Sequence, residues 1–381
     1  MDSGAGARTA SEDRVADVVR AVRADPEQRE SLIDLLREDS PLYDGRGAGA
    51  TARIRAWVIA TFADVGLPDS GLPYVLEELE SGREPLLVAA AARAVRGRAE
   101  PSPSLAGFLV RALRNVGDRD DTVTFEALRP RWPAQQPTTA AREILAGLRH
   151  VGVDAGTRAE LVAVRSAYAD ALPPDIHQSL DELIGAAPPG HCCAPAAAAR
   201  PEAGHPVAGR MSSPDIVWED QDGARLGFDD FFLGMPSVVA FFYTRCGNPN
   251  KCSLTVTQLA ALQRLFAERG LTGAARIAAV TYDPAYDLPG RMRRYGQSRG
   301  LAFGPHVRML RATSGHLEVR RLFALRVGYT GSLVNRHAIE LFLLDGNGGV
   351  AHTWSRLRWE PAEVTARVAA LTGTCRTALS G

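Results

Sequence analysis

The stretch Val238–Phe266, VVAFFYTRCGNPNKCSLTVTQLAALQRLF, decides how the C-terminal half of the chain reads. Val238 to Phe242 form a short, continuous apolar run of β-branched and aromatic residues, the pattern of a strand buried on both faces. Leu259, Leu262, Leu265 and Phe266 then recur at helical spacing, and Thr255 with Gln258 predicts a capping box at the helix start. Cys246 and Cys252 fall between strand and helix, separated by Gly-Asn-Pro-Asn-Lys. A helix N-terminus favours thiolate, and thiolate is both a nucleophile and a soft-metal ligand. The pair is therefore placed for chemistry.

Working outward, a chain of 381 residues has room for two or three domains, each with a large core. Acidic and basic residues balance at 44 each, which argues against nucleic acid or an anionic membrane as partner. Lys251, between the two cysteines, is the only lysine; the scarcity reads first as a compositional bias toward Arg, with tuning of a neighbouring thiolate as the alternative. The N-terminus, MDSGAGARTASEDRVADVVRAV, has no apolar signal-peptide core, and no run of about 18 apolar residues occurs. A cytoplasmic protein without a membrane anchor is the expectation. Five cysteines in a reducing compartment point to metal or redox chemistry rather than a disulfide scaffold.

Residues 1–187 read as helical almost throughout. Helices are predicted at Arg14–Arg23, Gln28–Leu36, Thr51–Val65, Leu72–Leu79, Pro85–Arg96, Ser104–Asn115, Thr139–His150, Thr157–Ala171 and Ile176–Ile184, with Pro, Gly and Asp at their ends. The segments Thr51–Gly71 and Thr139–Gly156 share a Thr-Ala start, an apolar stripe and a Val-Gly stop, and Leu86–Gly97 is a third relative. This pattern resembles HEAT-type helical pairs stacked into a short solenoid, with an irregular helical bundle as the alternative. A solenoid offers a concave surface to a protein partner or a small-molecule substrate. His150 and His177 stand alone in this region and read as structural.

Residues 188–213 are rich in Ala, Pro and Gly and break every periodicity, as a linker does. They contain His191-Cys192-Cys193, readable as incidental thiols or as a mobile arm that binds a soft metal or exchanges thiols, with His205 as a further candidate.

Residues 214–381 alternate strands and helices. A hairpin turns at Asp222-Gly223, Phe228–Leu233 forms a short helix or turn, and buried strands run over 238–244 and Ala275–Pro284. Helices follow at 256–269, Pro289–Gly300 and His316–Val327, with His306–Thr313 short and extended. A second hairpin turns at Asp345–Gly349, and the last helix is Pro361–Leu371. A mixed sheet covered by helices, with cysteines after the first long buried strand, is a thioredoxin-like architecture. The fold class expected overall is thus α plus α/β.

Three separated motifs in this half resemble the Sco/SenC copper-binding proteins, a thioredoxin-fold family. Phe242-Tyr243-Thr244-Arg245-Cys246 is similar to the family's aromatic-Tyr-Thr-x-Cys strand end. Asp283-Pro284, with Asp287 and Pro289, resembles its Asp-Pro-x-x-Asp segment, and Asn335-Arg336-His337 resembles its histidine ahead of a penultimate hairpin. The resemblance implies that Cys246, Cys252 and His337 bind copper, with Asp283 in support or as a strand-end cap. Two thiolates and an imidazole suit Cu(I) and also accept Cu(II). The family pattern is Cys-x3-Cys with Pro after the first cysteine; here five residues intervene and Gly247 follows Cys246. His306, His316, His352 and Cys375 carry no such motif and read as structural or incidental.

The leading expectation is therefore a copper-binding protein acting as chaperone or sensor, diverged from Sco-type chaperones. An alternative is a redox enzyme: a thiol–disulfide oxidoreductase or thiol peroxidase, with Cys246 attacking and Cys252 resolving, or a copper-dependent oxidase of a small molecule. A third reading makes the helical array a protein-binding platform beside a degenerate redox domain.

Overall fold

The computed structural model describes residues 3–116, 120–125, 136–168, 172–185, 216–330 and 333–378. The chain divides into two compact units, Met1–Pro201 with Gly328–Thr330, and Glu202–Val327 with Gly331–Gly381.

The first unit is helical. It contains α1 (Ser3–Ala24), α2 (Ser31–Asp34), α3 (Ala48–Val65), α4 (Leu72–Ser81), α5 (Pro85–Val95) and α6 (Ala106–Val116). Two short strands, β1 (Thr122–Val123) and β2 (Thr138–Thr139), pair antiparallel, and α7 (Ala140–Val151), α8 (Ala155–Ala167) and α9 (Pro174–Gly185) follow. The two Val-Gly stops use one device. Gly66 and Gly152 take φ of 91° and 85°, open to glycine without penalty, and their N–H groups return to the carbonyls of Phe62 and Leu148. Gly97 meets a different demand: a side chain there would stand 2.0 Å from the Phe62 carbonyl oxygen. Helix α8 starts earlier than its apolar pattern suggests, because the Asp154 carboxylate caps it by accepting the Thr157 N–H at 2.7 Å.

The second unit holds a seven-stranded mixed sheet. Its elements in order are β3 (Val217–Asp220), β4 (Arg225–Gly227), α10 (Phe228–Phe232), β5 (Ser237–Phe242), α11 (Leu254–Glu268), β6 (Arg276–Thr281), α12 (Pro289–Gln297) and β7 (Val307–Ser314). Next in the chain come α13 (His316–Leu322), β8 (Val327–Thr330, of which Gly328–Thr330 belongs to the first unit), β9 (Leu333–His337), β10 (Glu340–Leu344), β11 (Val350–Ser355) and α14 (Pro361–Ala378). Strand order across the sheet is β11-β10-β5-β6-β7-β3-β4, with β5, β6 and β7 parallel and β10 antiparallel to β5. A parallel β5–α11–β6 crossover, a hairpin on the other flank of β5 and a closing helix make the arrangement thioredoxin-like.

All six residues of β5 are buried. Val238, Ala240 and Phe242 join the core formed with Val256, Leu259 and Leu262 of α11 and Val364 and Val368 of α14. Phe241 points to the other face, edge-on to Phe323 at 5.0 Å and Phe342 at 5.8 Å. Burying side chains of this size contributes roughly 1.5–3 kcal/mol each, which pins the strand and so fixes where it ends.

Two local expectations need correction. Thr255 does not cap a helix: it lies inside α11, buried, and Gln258 donates instead to the Trp359 carbonyl at 2.9 Å. Winding begins earlier, in a wide turn over Pro249–Ser253, where the Asn248 side chain accepts the Asn250 N–H. The helix expected over His316–Val327 ends at Leu322, Ala324 takes a φ of 46°, and Val327 already belongs to β8; β9, which delivers His337, carries no strict alternation in sequence and reads exposed, three half-buried, then buried.

Past Phe242, the chain is held by Asp287. Its carboxylate accepts from the Thr244 N–H at 3.1 Å and from the hydroxyls of Thr244 and Thr281. Burial pushes the Asp287 carboxyl above the usual range, opposed by the threonine hydrogen bonds. A raised folded-state value means that the folded protein holds the proton more tightly than the unfolded chain does. The group's contribution is then fullest below its unfolded value of about 3.9 and is lost as pH rises through the folded one. In Asp287→Asn, which does not titrate, protection of β5 and β6 amides in hydrogen exchange should respond less to acid. As pH falls from about 7 to about 4, wild-type protection should rise relative to this variant. A constant gap between the two would contradict the assignment. Asp287→Ala should cost about 1–3 kcal/mol in the same measurement, because it strands buried donors.

Candidate metal centre

Three side chains meet just beyond the end of β5. Cys246 lies in the turn that follows the strand, Cys252 in the wide turn before α11, and His337 is the last residue of β9. The Cys246 Sγ is 3.6 Å and the Cys252 Sγ 3.5 Å from His337 Nε2, and the three ligand atoms all lie within 4.8 Å of one another. Among the described residues this is the one group of three that can hold a metal ion.

Several contacts fix the imidazole. Its Nδ1 lies 2.8 Å from the Ala338 carbonyl, so Nδ1 carries the proton in the neutral ring and Nε2 turns its lone pair to the sulfurs. Tyr243 meets the ring edge-on at 5.4 Å, and Tyr282 lies tilted against it at 5.3 Å. Tyr282 is itself held, donating to Glu340 Oε2 at 3.0 Å, while Glu340 Oε1 accepts the Arg326 N–H. Lys251 donates its Nζ to the His337 carbonyl at 3.2 Å.

The two thiols differ. Cys246 is half-buried and Cys252 buried. Donation from the Cys252 thiol, with help from His337, lowers the Cys246 thiol well below its ordinary value against the effect of burial. Burial, together with the neighbouring Cys246, raises the Cys252 thiol. One proton is thus shared unequally, with the negative charge on the sulfur nearer solvent. Burial also raises the Tyr243 phenol, and the flanking sulfurs add to this, its hydroxyl being bonded to Cys246.

The residues fit a soft ion. A metal bonded to nitrogen at about 2.0 Å and to sulfur at about 2.3 Å keeps those atoms no more than about 4.3 Å apart, a limit taken from zinc sites. Both sulfur–nitrogen separations, 3.5 and 3.6 Å, fall inside it. Two thiolates and one imidazole are the donors that a low-coordinate Cu(I) takes.

Asp283 stands apart from the triad. Its carboxylate pairs with the Arg245 guanidinium, whose plane covers Tyr286 at 3.9 Å. Asp287, Tyr282 and Glu340 act around the site without a pattern that sequence alone exposes, although Asp287 lies within the quoted Asp-Pro motif. His150 bonds the Arg98 carbonyl, His352 packs edge-on to Trp354 at 4.3 Å, and burial lowers the half-buried His316. His191, Cys192, Cys193 and His205 lie outside the described residues, as does the Cys375 side chain. Among the described residues, no helix is long and apolar enough to cross a membrane.

The family model SCO1/SenC matches residues 217–373. Among solved structures, a SCO1/SenC family lipoprotein from Bacillus anthracis str. Ames is 20% identical, with 44% of this chain and 96% of that chain covered and a TM-score of 0.37. Yeast Sco1 is 20% identical, covering 44% of this chain and 97% of that one, TM-score 0.35. The copper-bound ScoI of Bradyrhizobium japonicum is 20% identical, covering 42% and 99%, TM-score 0.35. No curated protein matches the chain. With the strand-end cysteine, the second cysteine and the histidine in one cluster on a thioredoxin-like sheet, residues 217–373 form a Sco/SenC-like domain.

Proposed function

We propose that the C-terminal domain binds one copper ion, as cargo rather than as a fixed cofactor, through Cys246, Cys252 and His337. The observation that carries this reading is the convergence of two sulfurs and one imidazole nitrogen within 4.8 Å. The Sco/SenC match over residues 217–373 supports it, since resemblance to that copper-binding family implies this ligand set. Chemistry supports it as well. A half-buried thiolate beside a buried thiol forms a soft, electron-rich pair, and Cu(I) binding displaces the shared proton.

Anaerobic titration with Cu(I) tests the reading. The full chain should take up one tightly held ion at this site. Cys246→Ser, Cys252→Ser and His337→Ala should each weaken it by at least about tenfold, the scale seen when supporting groups of metal sites are removed. A wild-type protein that takes up no Cu(I), or affinity unchanged in all three variants, would sink the proposal.

A second reading rests on the inequality of the thiols. A lowered, accessible thiol beside a raised, buried one is the arrangement of an attacking and a resolving cysteine. In that reading the Cys246 thiolate attacks a substrate disulfide or peroxide, breaking its S–S or O–O bond and expelling a thiolate, alkoxide or hydroxide. Cys252 then closes the internal disulfide with release of the second thiolate or of water, supplying two electrons in all. Metal-free protein at neutral pH should accordingly be alkylated by iodoacetamide at Cys246 well before Cys252, as mapped by mass spectrometry. Equal labelling would contradict the inequality. Disulfide reduction or peroxide consumption that vanishes in Cys246→Ser would favour the enzyme over the carrier.

A further inference from the structure

Lys251 is the only lysine in the chain, and it sits inside the segment that lengthens the family's Cys-x3-Cys spacing to five intervening residues. It is 5% exposed, in a polar loop where a lysine would ordinarily reach into water. Its backbone leaves helical geometry, with φ −112° and ψ −106°, and its N–H bonds the Asn248 carbonyl at 3.1 Å. That turn directs the side chain inward, where Nζ donates to the carbonyl of His337 at 3.2 Å.

A buried ammonium group is costly unless negative charge lies close by. Arg245, the cation next to Cys246, is already paired with Asp283. Lys251 directly precedes Cys252 and its ammonium is tied to the third ligand residue, His337, so its positive charge is held beside the sulfur pair. With both cysteines as thiolates and a neutral imidazole, a Cu(I) complex carries a net charge of minus one, and a Cu(II) complex carries none. Adding the ammonium makes the Cu(I) state neutral and leaves the Cu(II) state with an uncompensated positive charge.

On the basis of the copper reading above, we propose that Lys251 is the charge-compensating residue of the Cys246–Cys252–His337 centre and biases it toward Cu(I) over Cu(II). Its ammonium is engaged with the His337 carbonyl, and the ligand positions are left to Cys246, Cys252 and His337.

The test compares the full chain with Lys251→Met, Lys251→Gln and Lys251→Arg. Dissociation constants for Cu(I) and Cu(II), from competition with chelators of known affinity, give the ratio of the two. The Cu(II) constant divided by the Cu(I) constant should fall about tenfold in the Met and Gln variants, which lowers the one-electron potential by about 59 mV, and should hold in the Arg variant. Gln separates charge from tethering, because it can still donate to the His337 carbonyl. A Gln variant that keeps the wild-type ratio would reduce Lys251 to a tether and overturn the proposal, as would a ratio unchanged in Met. Wild-type protein that binds no copper would defeat the copper reading instead. Charge compensation then remains open to test through the Cys246–Cys252 thiol–disulfide potential of the same variants. That potential should fall in Met and Gln, since the ammonium favours the reduced, thiolate form, and no change would overturn it.

Discussion

The structure of the C-terminal unit turns on an electrostatic constraint. Two sulfurs and a ring nitrogen lie within 4.8 Å, and one of the sulfurs is out of water. Cys252 cannot carry a charge alone at 1% exposure, so the group must share either a proton or a cation. Sharing requires that the three atoms be held close whether or not an ion is present. The surroundings provide this. β5 is buried along its whole length, Asp287 secures the residues beyond it, and the imidazole is held by the Ala338 carbonyl and two tyrosine rings. Side chains this restrained cannot drift apart to relieve the repulsion between their lone pairs.

The lengthened loop fits the same constraint. Each additional ordered residue costs roughly 1–2 kcal/mol of backbone entropy, so two extra positions are a real burden. The loop offsets it with its own hydrogen bonds: Asn248 accepts the Asn250 N–H at 2.9 Å through its side chain and the Lys251 N–H through its carbonyl. That carbonyl also lies 3.7 Å from the Cys246 sulfur. Pro249, with φ already restricted, loses less on ordering than another residue would. The extra length is what lets the chain place an ammonium in the interior and still return Cys252 to the start of α11.

Much of this could be read from the sequence, for reasons that differ by element. Strand β5 was legible because a strand buried on both faces has to be apolar at every position, and α11 because its apolar spacing is helical. The Val-Gly stops of α3 and α7 were legible because a positive φ favours glycine. The start of α11 was misread, since a wide turn over Pro249–Ser253 winds the chain before the residues that look like a cap. His337 was reached only through family resemblance. β9 is mostly half-buried and its residues give no alternating signal, so local pattern says nothing about where its last side chain points. The inward course of Lys251 was invisible as well, because it follows from one non-helical φ/ψ pair, whereas composition alone suggests a solvated charge.

The histidine is what separates the two chemistries open to such a thiol pair. Attack by Cys246 and resolution by Cys252 need an activated sulfur and a path for the substrate, and a helix N-terminus with one proton shared between the thiols already supplies the activation. A restrained imidazole equidistant from both sulfurs, at 3.5 and 3.6 Å, exceeds that need. It places a third donor where a bridging ion would sit, with its tautomer set by the Ala338 carbonyl so that Nε2 faces the sulfurs. Tyr243 packs edge-on against the same ring at 5.4 Å. A centre that exchanges disulfides uses the imidazole only to help lower the Cys246 thiol. A centre built to receive a soft cation depends on it, and the geometry therefore weighs toward the metal.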